Sequence, residues 1–257
     1  MIVDAHSTPN PVLGGCGDSA SRYKRTLLRI HDQVRCCKRP EGSTRLIAVS
    51  KQHPAEAVAG IARLGQADFG ENYVQESLEK IQSVKTLLDS EPLPHPLSWH
   101  FIGNIQSRKC RDIAENFDWV HTIDSPKTAR RLNSFRNRPT ALQSLIQVNL
   151  QNEPGKSGIQ ADELEDLAEL IDSLPNLEFR GLMIIPRPES SFDRQRKVFR
   201  KLRDLLESYQ PHYPNMDQLS MGMTDDMAAA IHEGATMVRV GTAIFGSRAS
   251  KNQSRIQ

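Results

Sequence analysis

The stretch Arg45-Leu-Ile-Ala-Val-Ser-Lys51 is a short, β-rich apolar run that closes on a lysine. Runs of this kind are the buried strands of parallel sheets, covered on both faces. Pro54 follows where a helix can begin, and Val58, Ile61 and Leu64 continue at helical spacing. The same strand–turn–helix unit recurs down the chain. Residues 67–70 precede a helix carrying Val74, Leu78 and Ile81; residues 98–102 precede one starting near Ser107; residues 119–123 precede one near Ser125. Residues 145–149 lead to Leu164, Leu167 and Leu170, and residues 179–185 to Phe199, Leu202 and Leu206. Residues 218–223 lead to a helix opened by Asp225, and residues 236–240 form the last strand.

Eight strands therefore recur with a period of about 27 residues, a comfortable length for a βα unit. The fold class expected is α/β, a single (β/α)8 barrel of the TIM type. An open doubly wound sheet is disfavoured, because no Gly-x-Gly-x-x-Gly follows the first strand. Upstream, Tyr23, Leu27, Ile30 and Val34 fit one helix face. Residues 1–20, rich in Pro, Gly and Ser, are expected to be a loosely ordered extension; residues 21–248 form the barrel and residues 249–257 a tail.

The 257 residues are 38 % hydrophobic and 25 % charged, enough to bury a sizeable core. A net charge of +2 gives no electrostatic case for nucleic acid or an anionic membrane. The longest unbroken apolar run, Met227 to Ile231, is far short of a bilayer span. The first twenty residues hold no Lys or Arg, unlike a secretion signal. Four cysteines at irregular spacing form no disulfide framework, and no Cys-x-x-Cys or His-rich cluster suggests a metal. A monomeric protein of a reducing cytoplasm is expected.

Barrels work at the carboxyl ends of their strands. Standing there are Lys51, Asn72, Gly103 with Asn104 and Gln106, Asp124, Asn149, Pro186, Met223 with Thr224, and Arg239 with Gly241 and Thr242. Polar groups gathered at one end of apolar strands cost burial energy unless they are used. A lysine in a barrel mouth is a candidate Schiff-base amine, since desolvation frees its lone pair; the alternative for Lys51 is a side chain that snorkels to solvent. Lys109 and Lys156 are weaker candidates, lying in helix or loop. Thr224, Gly241 and Thr242 flank the seventh and eighth loops, where barrels build phosphate sites. Thr224 as a plain helix cap and Gly241 as a tight turn remain compatible with that. Arg239 needs a partner, either a ligand or an ion pair with Asp124 or Glu71. Lysine, phosphate cradle and buried arginine together suit pyridoxal 5'-phosphate.

The motifs then become recognisable. Ala48-Val-Ser-Lys51, Phe69-Gly-Glu-Asn-Tyr-Val-Gln-Glu76, Trp99-His-Phe-Ile-Gly103 with Gln106-Ser107, and Lys156-Ser-Gly158 resemble the pyridoxal-phosphate homeostasis protein family. So do Gly181-Leu-Met183, Leu219-Ser-Met-Gly-Met223 and Val238-Arg-Val-Gly-Thr-Ala-Ile-Phe-Gly246. The resemblance runs from about residue 45 to 248. It implies a barrel similar to the N-terminal domain of alanine racemase. It also implies Lys51 as the aldimine lysine and Arg239 facing the pyridine nitrogen. Thr224, Gly241 and Thr242 would hold the phosphate, with Ser220 and Asn72 lining the site. Thr224 stands where the family usually has Ser, and Gln52-His53 replaces the commoner Thr-Lys.

Two functions compete: a carrier that stores and delivers the cofactor, with apo-enzymes as partners, and an amino-acid racemase or related enzyme. The racemases that this barrel resembles carry a further β domain supplying a second acid/base, for which the residues after Gly246 are too few. Tyr73 and His100 are the candidate bases within the barrel. The carrier is the expected reading.

Overall fold

The computed structural model describes residues 16–247. Eight strands close into a barrel in chain order: β1 (Arg45–Val49), β2 (Asp68–Glu71), β3 (Ser98–Phe101), β4 (Trp119–Ile123), β5 (Leu142–Gln147), β6 (Leu177–Met183), β7 (Gln218–Ser220) and β8 (Met237–Val240). Neighbouring strands are parallel, and β8 pairs with β1 to close the ring, Ile47 lying opposite Arg239. Around it run α1 (Cys16–Cys36), α2 (Ala55–Ala62), α3 (Val74–Leu88), α4 (Cys110–Asn116), α5 (Pro126–Phe135), α6 (Leu164–Asp172), α7 (Phe192–Tyr209), α8 (Met227–His232) and α9 (Thr242–Phe245). The expected barrel is the fold observed.

Most of the apolar stripes foretold by spacing are buried. Leu64, however, lies past the end of α2 and is exposed. Leu78, Ile81 and Leu170 are only partly covered, because the buried faces of α3 and α6 turn toward Ser77, Lys80 and Ile171. Val58 and Ile61 of α2, Leu164, Leu167 and Ile171 of α6, and Phe199, Leu202 and Leu206 of α7 pack into the layer between sheet and helices. A separate cluster of Ile47, Trp119, Leu145, Met183 and Met237 fills the barrel itself. Ser125 starts α5 where expected, its hydroxyl accepting from the Thr128 N–H at 3.3 Å with Pro126 next in line.

Several boundaries differ; β6 runs two residues earlier than expected and β7 ends at Ser220 rather than Met223. Helix α1 starts at Cys16, so residues 16–20 are helical rather than loose. Arg22 explains this: it pairs with Asp18 one turn earlier and donates Nε–H to the Ile244 carbonyl at 2.9 Å, tying the first turns of α1 to α9. By packing against α2, α8 and α9, α1 takes the ring position that the four-residue α9 is too short to fill. Strand β5 begins three residues earlier than its apolar run, since paired strands on both sides recruit Leu142. A single 3-10 turn (Ser107–Lys109) precedes α4, and α8 opens at Met227 rather than Asp225. The expected tail, and residues 1–15 of the extension, lie outside the described residues.

Candidate functional site

The carboxyl ends of β7, β8, β1 and β2 are consecutive around the barrel, and they carry every residue singled out for the cofactor. Lys51 lies two residues past the end of β1, half-buried. Its backbone is pinned from both sides. Ser50 N–H donates to the Gly70 carbonyl at 3.0 Å, and Lys80 Nζ donates to the Ser50 carbonyl at 2.7 Å. Gln52, left-handed at φ 62°, donates its N–H to Glu76 Oε1 at 2.5 Å. A non-glycine residue at positive φ costs energy that surrounding contacts must supply.

Those contacts centre on a buried ion cluster that sequence reasoning missed. Lys80 Nζ sits 2.7 Å from Glu71 Oε1 and 2.8 Å from Glu76 Oε1, and the Ser50 hydroxyl donates to the same Glu71 oxygen at 2.6 Å. Burial pushes the Glu71 carboxyl above its ordinary range, and Lys80 and Ser50 offset only part of this. The Glu76–Lys80 spacing of four was a visible signal. That β2 would deliver Glu71 to the same ammonium was not.

Arg239 is buried in β8, and its candidate carboxylates do not reach it. Nη1 donates to Ser220 Oγ at 2.7 Å and Nη2 to the Ile184 carbonyl at 2.8 Å. Glu71 is committed to Lys80. Asp124 accepts backbone N–H groups, including that of Gly158, while burial raises its carboxyl. Burial brings the Arg239 pKa down to about 10, with Asp226 opposing. A guanidinium has five N–H groups, so one held by a hydroxyl and a carbonyl keeps donors for a ligand.

Thr224 is half-buried and does not cap α8; that place belongs to Asp226, whose carboxylate accepts from the Met223 N–H at 2.6 Å. Gly241 leaves β8 so close to β1 that a Cβ would stand 3.0 Å from the Val49 carbonyl oxygen. Thr242, exposed beside it, opens α9. Asn72 follows β2 with its Oδ1 buried and unpartnered, and a Cβ on Gly103 would overlap its backbone oxygen. Ser220 is fully buried, its hydroxyl accepting from Arg239 Nη1.

Of the candidate bases, His100 is not at the mouth. It is wholly buried, with Nδ1 2.9 Å from His121 Nε2 and Nε2 2.9 Å from Asp68 Oδ1. Tyr73 is exposed at the rim, just before α3. Lys109 pairs with Asp112 at 3.1 Å and Lys156 with Glu153 at 2.5 Å, both away from strand ends. Asn149 closes a turn with Glu153.

Burial holds His100 and His121 below the ordinary histidine value of 6.5, His121 well below, with His100 and Arg239 adding to the effect there. Unfolded, both imidazoles take up protons as pH falls through 6.5; folded, they resist. Their contribution to stability is therefore complete above 6.5 and declines as pH drops below it. Urea midpoints of the cofactor-free protein, taken between about pH 7.5 and 5, should fall with a slope that becomes shallower when His121 is replaced.

Residues 27–249 match the family described as alanine racemase, N-terminal domain. A pyridoxal phosphate homeostasis protein of Vibrio alginolyticus is 50 % identical over 220 residues, 85 % of this chain and 92 % of the relative. Its counterpart in Escherichia coli K12 is 48 % identical over 228 residues, 86 % and 95 % of the two chains. Among solved structures, PipY of Synechococcus elongatus with PLP bound superposes with a TM-score of 0.72 at 34 % identity, covering 84 % of this chain and all of that one. Alanine racemase of Corynebacterium glutamicum shares the fold alone, with a TM-score of 0.63 at 16 % identity over 93 % of this chain and 64 % of its own. On sequence, coverage and architecture together, the chain belongs to the pyridoxal phosphate homeostasis protein family.

Proposed function

We propose that this mouth binds pyridoxal 5'-phosphate covalently through Lys51, and that the protein serves intracellular supply of the cofactor, storing and delivering it without committed turnover. The carrying observation is the pair on adjacent strands: a lysine on a pinned loop and a buried arginine with no carboxylate partner among the described residues. The orphaned Asn72 Oδ1 beside them supports the fit, since a buried acceptor without a donor is costly unless a ligand answers it. When bound, the cofactor supplies an aldehyde for the Lys51 amine and a ring able to withdraw electrons.

Arg239 would offer a guanidinium N–H to the ring nitrogen. Because a guanidinium keeps its proton, it would not protonate that nitrogen, and electron withdrawal by the ring would be weaker. Thr224 and Thr242 donate hydroxyls to the phosphate, and Gly241 lets the backbone approach it. The names of the relatives and the PLP held by PipY support the same reading. Racemization needs an acid and a base on opposite faces of the substrate carbon, and both nitrogens of His100 are already committed. We take the protein to act as a cytoplasmic monomer whose partners are apo-enzymes that accept the cofactor.

The deciding experiment sets α-proton exchange of alanine in deuterated water beside cofactor transfer to an apo-enzyme. Transfer with negligible exchange is the expected result; exchange at enzyme-like rates would establish the racemase reading instead. Thr224→Ala should weaken cofactor retention by about 1–3 kcal/mol, the loss of a charge-assisted donor. Since Asp226 holds the cap position, thermal stability of the cofactor-free variant should stay unchanged.

A further inference from the structure

Behind Arg239, an unbroken line of polar groups crosses the barrel. Arg239 Nη1 meets Ser220 Oγ at 2.7 Å, and Ser220 Oγ meets His121 Nδ1 at 2.8 Å. His121 Nε2 meets His100 Nδ1 at 2.9 Å, and His100 Nε2 meets Asp68 Oδ1 at 2.9 Å, with Ser98 Oγ 3.3 Å from the same nitrogen. Asp68 ends the line against Arg45 Nη1 at 3.6 Å. Ser220, His121 and His100 are wholly buried. The line starts at the carboxyl end of β7 and finishes on the first residues of β2 and β1, the opposite end of the barrel. Trp119 stacks on His100 there, and Arg45 and Arg180 lie over its indole.

The chemistry of the end groups fixes every proton. A guanidinium only donates, so Ser220 Oγ accepts from Arg239 and its own proton goes to His121 Nδ1. His121 then carries its proton on Nε2 and gives it to His100 Nδ1. His100 likewise carries its proton on Nε2 and gives it to the Asp68 carboxylate. The reverse direction would need a protonated Asp68 beside Arg45 and leave the Ser220 proton without an acceptor.

We propose that His121 and His100 are positioning residues for Arg239. Through Ser220, this one-way chain fixes the guanidinium so that its uncommitted N–H groups face the cofactor ring. The inference rests on the reading of Arg239 as the partner of the pyridine nitrogen.

Two measurements test it. In the cofactor-free protein, the ring nitrogen shifts of both histidines should report neutral Nε2–H tautomers. With cofactor, His121→Phe should weaken PLP affinity about tenfold, the worth of one lost buried hydrogen-bond partner, and shift the absorption band of the bound cofactor. His121→Asn, whose Oδ1 falls near the place of Nδ1, should restore most of both. An Nδ1–H or cationic histidine would overturn the one-way chain. Equal loss in the Phe and Asn variants, or affinity and spectrum unchanged while only the melting temperature falls, would reduce His121 to core filling and overturn the positioning role. Failure of the unaltered protein to bind PLP would instead reject the functional reading beneath it.

Discussion

Lys51→Ala is expected to abolish covalent retention of pyridoxal phosphate, while reversible binding through the phosphate and ring contacts survives in weakened form. Among the lysines considered, Lys51 alone stands just beyond a barrel strand, on a loop pinned by Lys80, Glu76 and Gly70. Positioning of this kind converts a slow encounter between amine and aldehyde into an intramolecular reaction. Borohydride reduction of the unaltered protein, followed by peptide mapping, should place the pyridoxyl group on Lys51. The variant should yield no labelled peptide. A label on Lys109 or Lys156 would overturn the assignment, since each already sits against a carboxylate away from the strand ends.

The second large effect belongs to Lys80. Lys80→Ala should destabilise the protein by about 3–5 kcal/mol, because it leaves the buried Glu71 carboxylate uncompensated. For a domain of this size, that is a fall in melting temperature of about 10 °C or more. Glu71 relieves part of the strain by taking up a proton, so the loss should be smaller in mild acid than above neutrality. Adding Glu71→Gln to Lys80→Ala should recover part of the stability. The variant also releases the Ser50 carbonyl, so labelling of Lys51 should slow. Equal instability in the single and double variants would show that the ammonium serves only as packing.

These two residues mark the boundary of what could be read in the chain. Lys51 stood out as a candidate because it closes an apolar strand, and Thr224, Gly241 and Thr242 because they follow the last two strands of a repeating unit. Both signals are local, and periodicity carries them. Lys80 was not singled out, although it lies one turn from Glu76, because nothing in helical spacing says that the face is buried against the end of β2. Arg239 was legible as a charge needing a ligand or a carboxylate, but neither of the carboxylates offered, Asp124 and Glu71, reaches it. The carboxylates gave way to a serine hydroxyl on the neighbouring β7 and a backbone carbonyl at the exit of β6, one strand further round the ring.

Periodicity alone dictates the alternation of strand and helix and the closed parallel barrel that such a period requires, and it singles out the loops that are candidates for the chemistry. Tertiary structure alone decided what happens inside the ring. Ser220, His121, His100 and Asp68 come from four different strands and stand up to 152 positions apart in the chain, yet they form one hydrogen-bonded line. The reason is physical. Strand alternation tells which side chains point inward, but only the closure and stagger of eight strands set which inward groups meet across the axis.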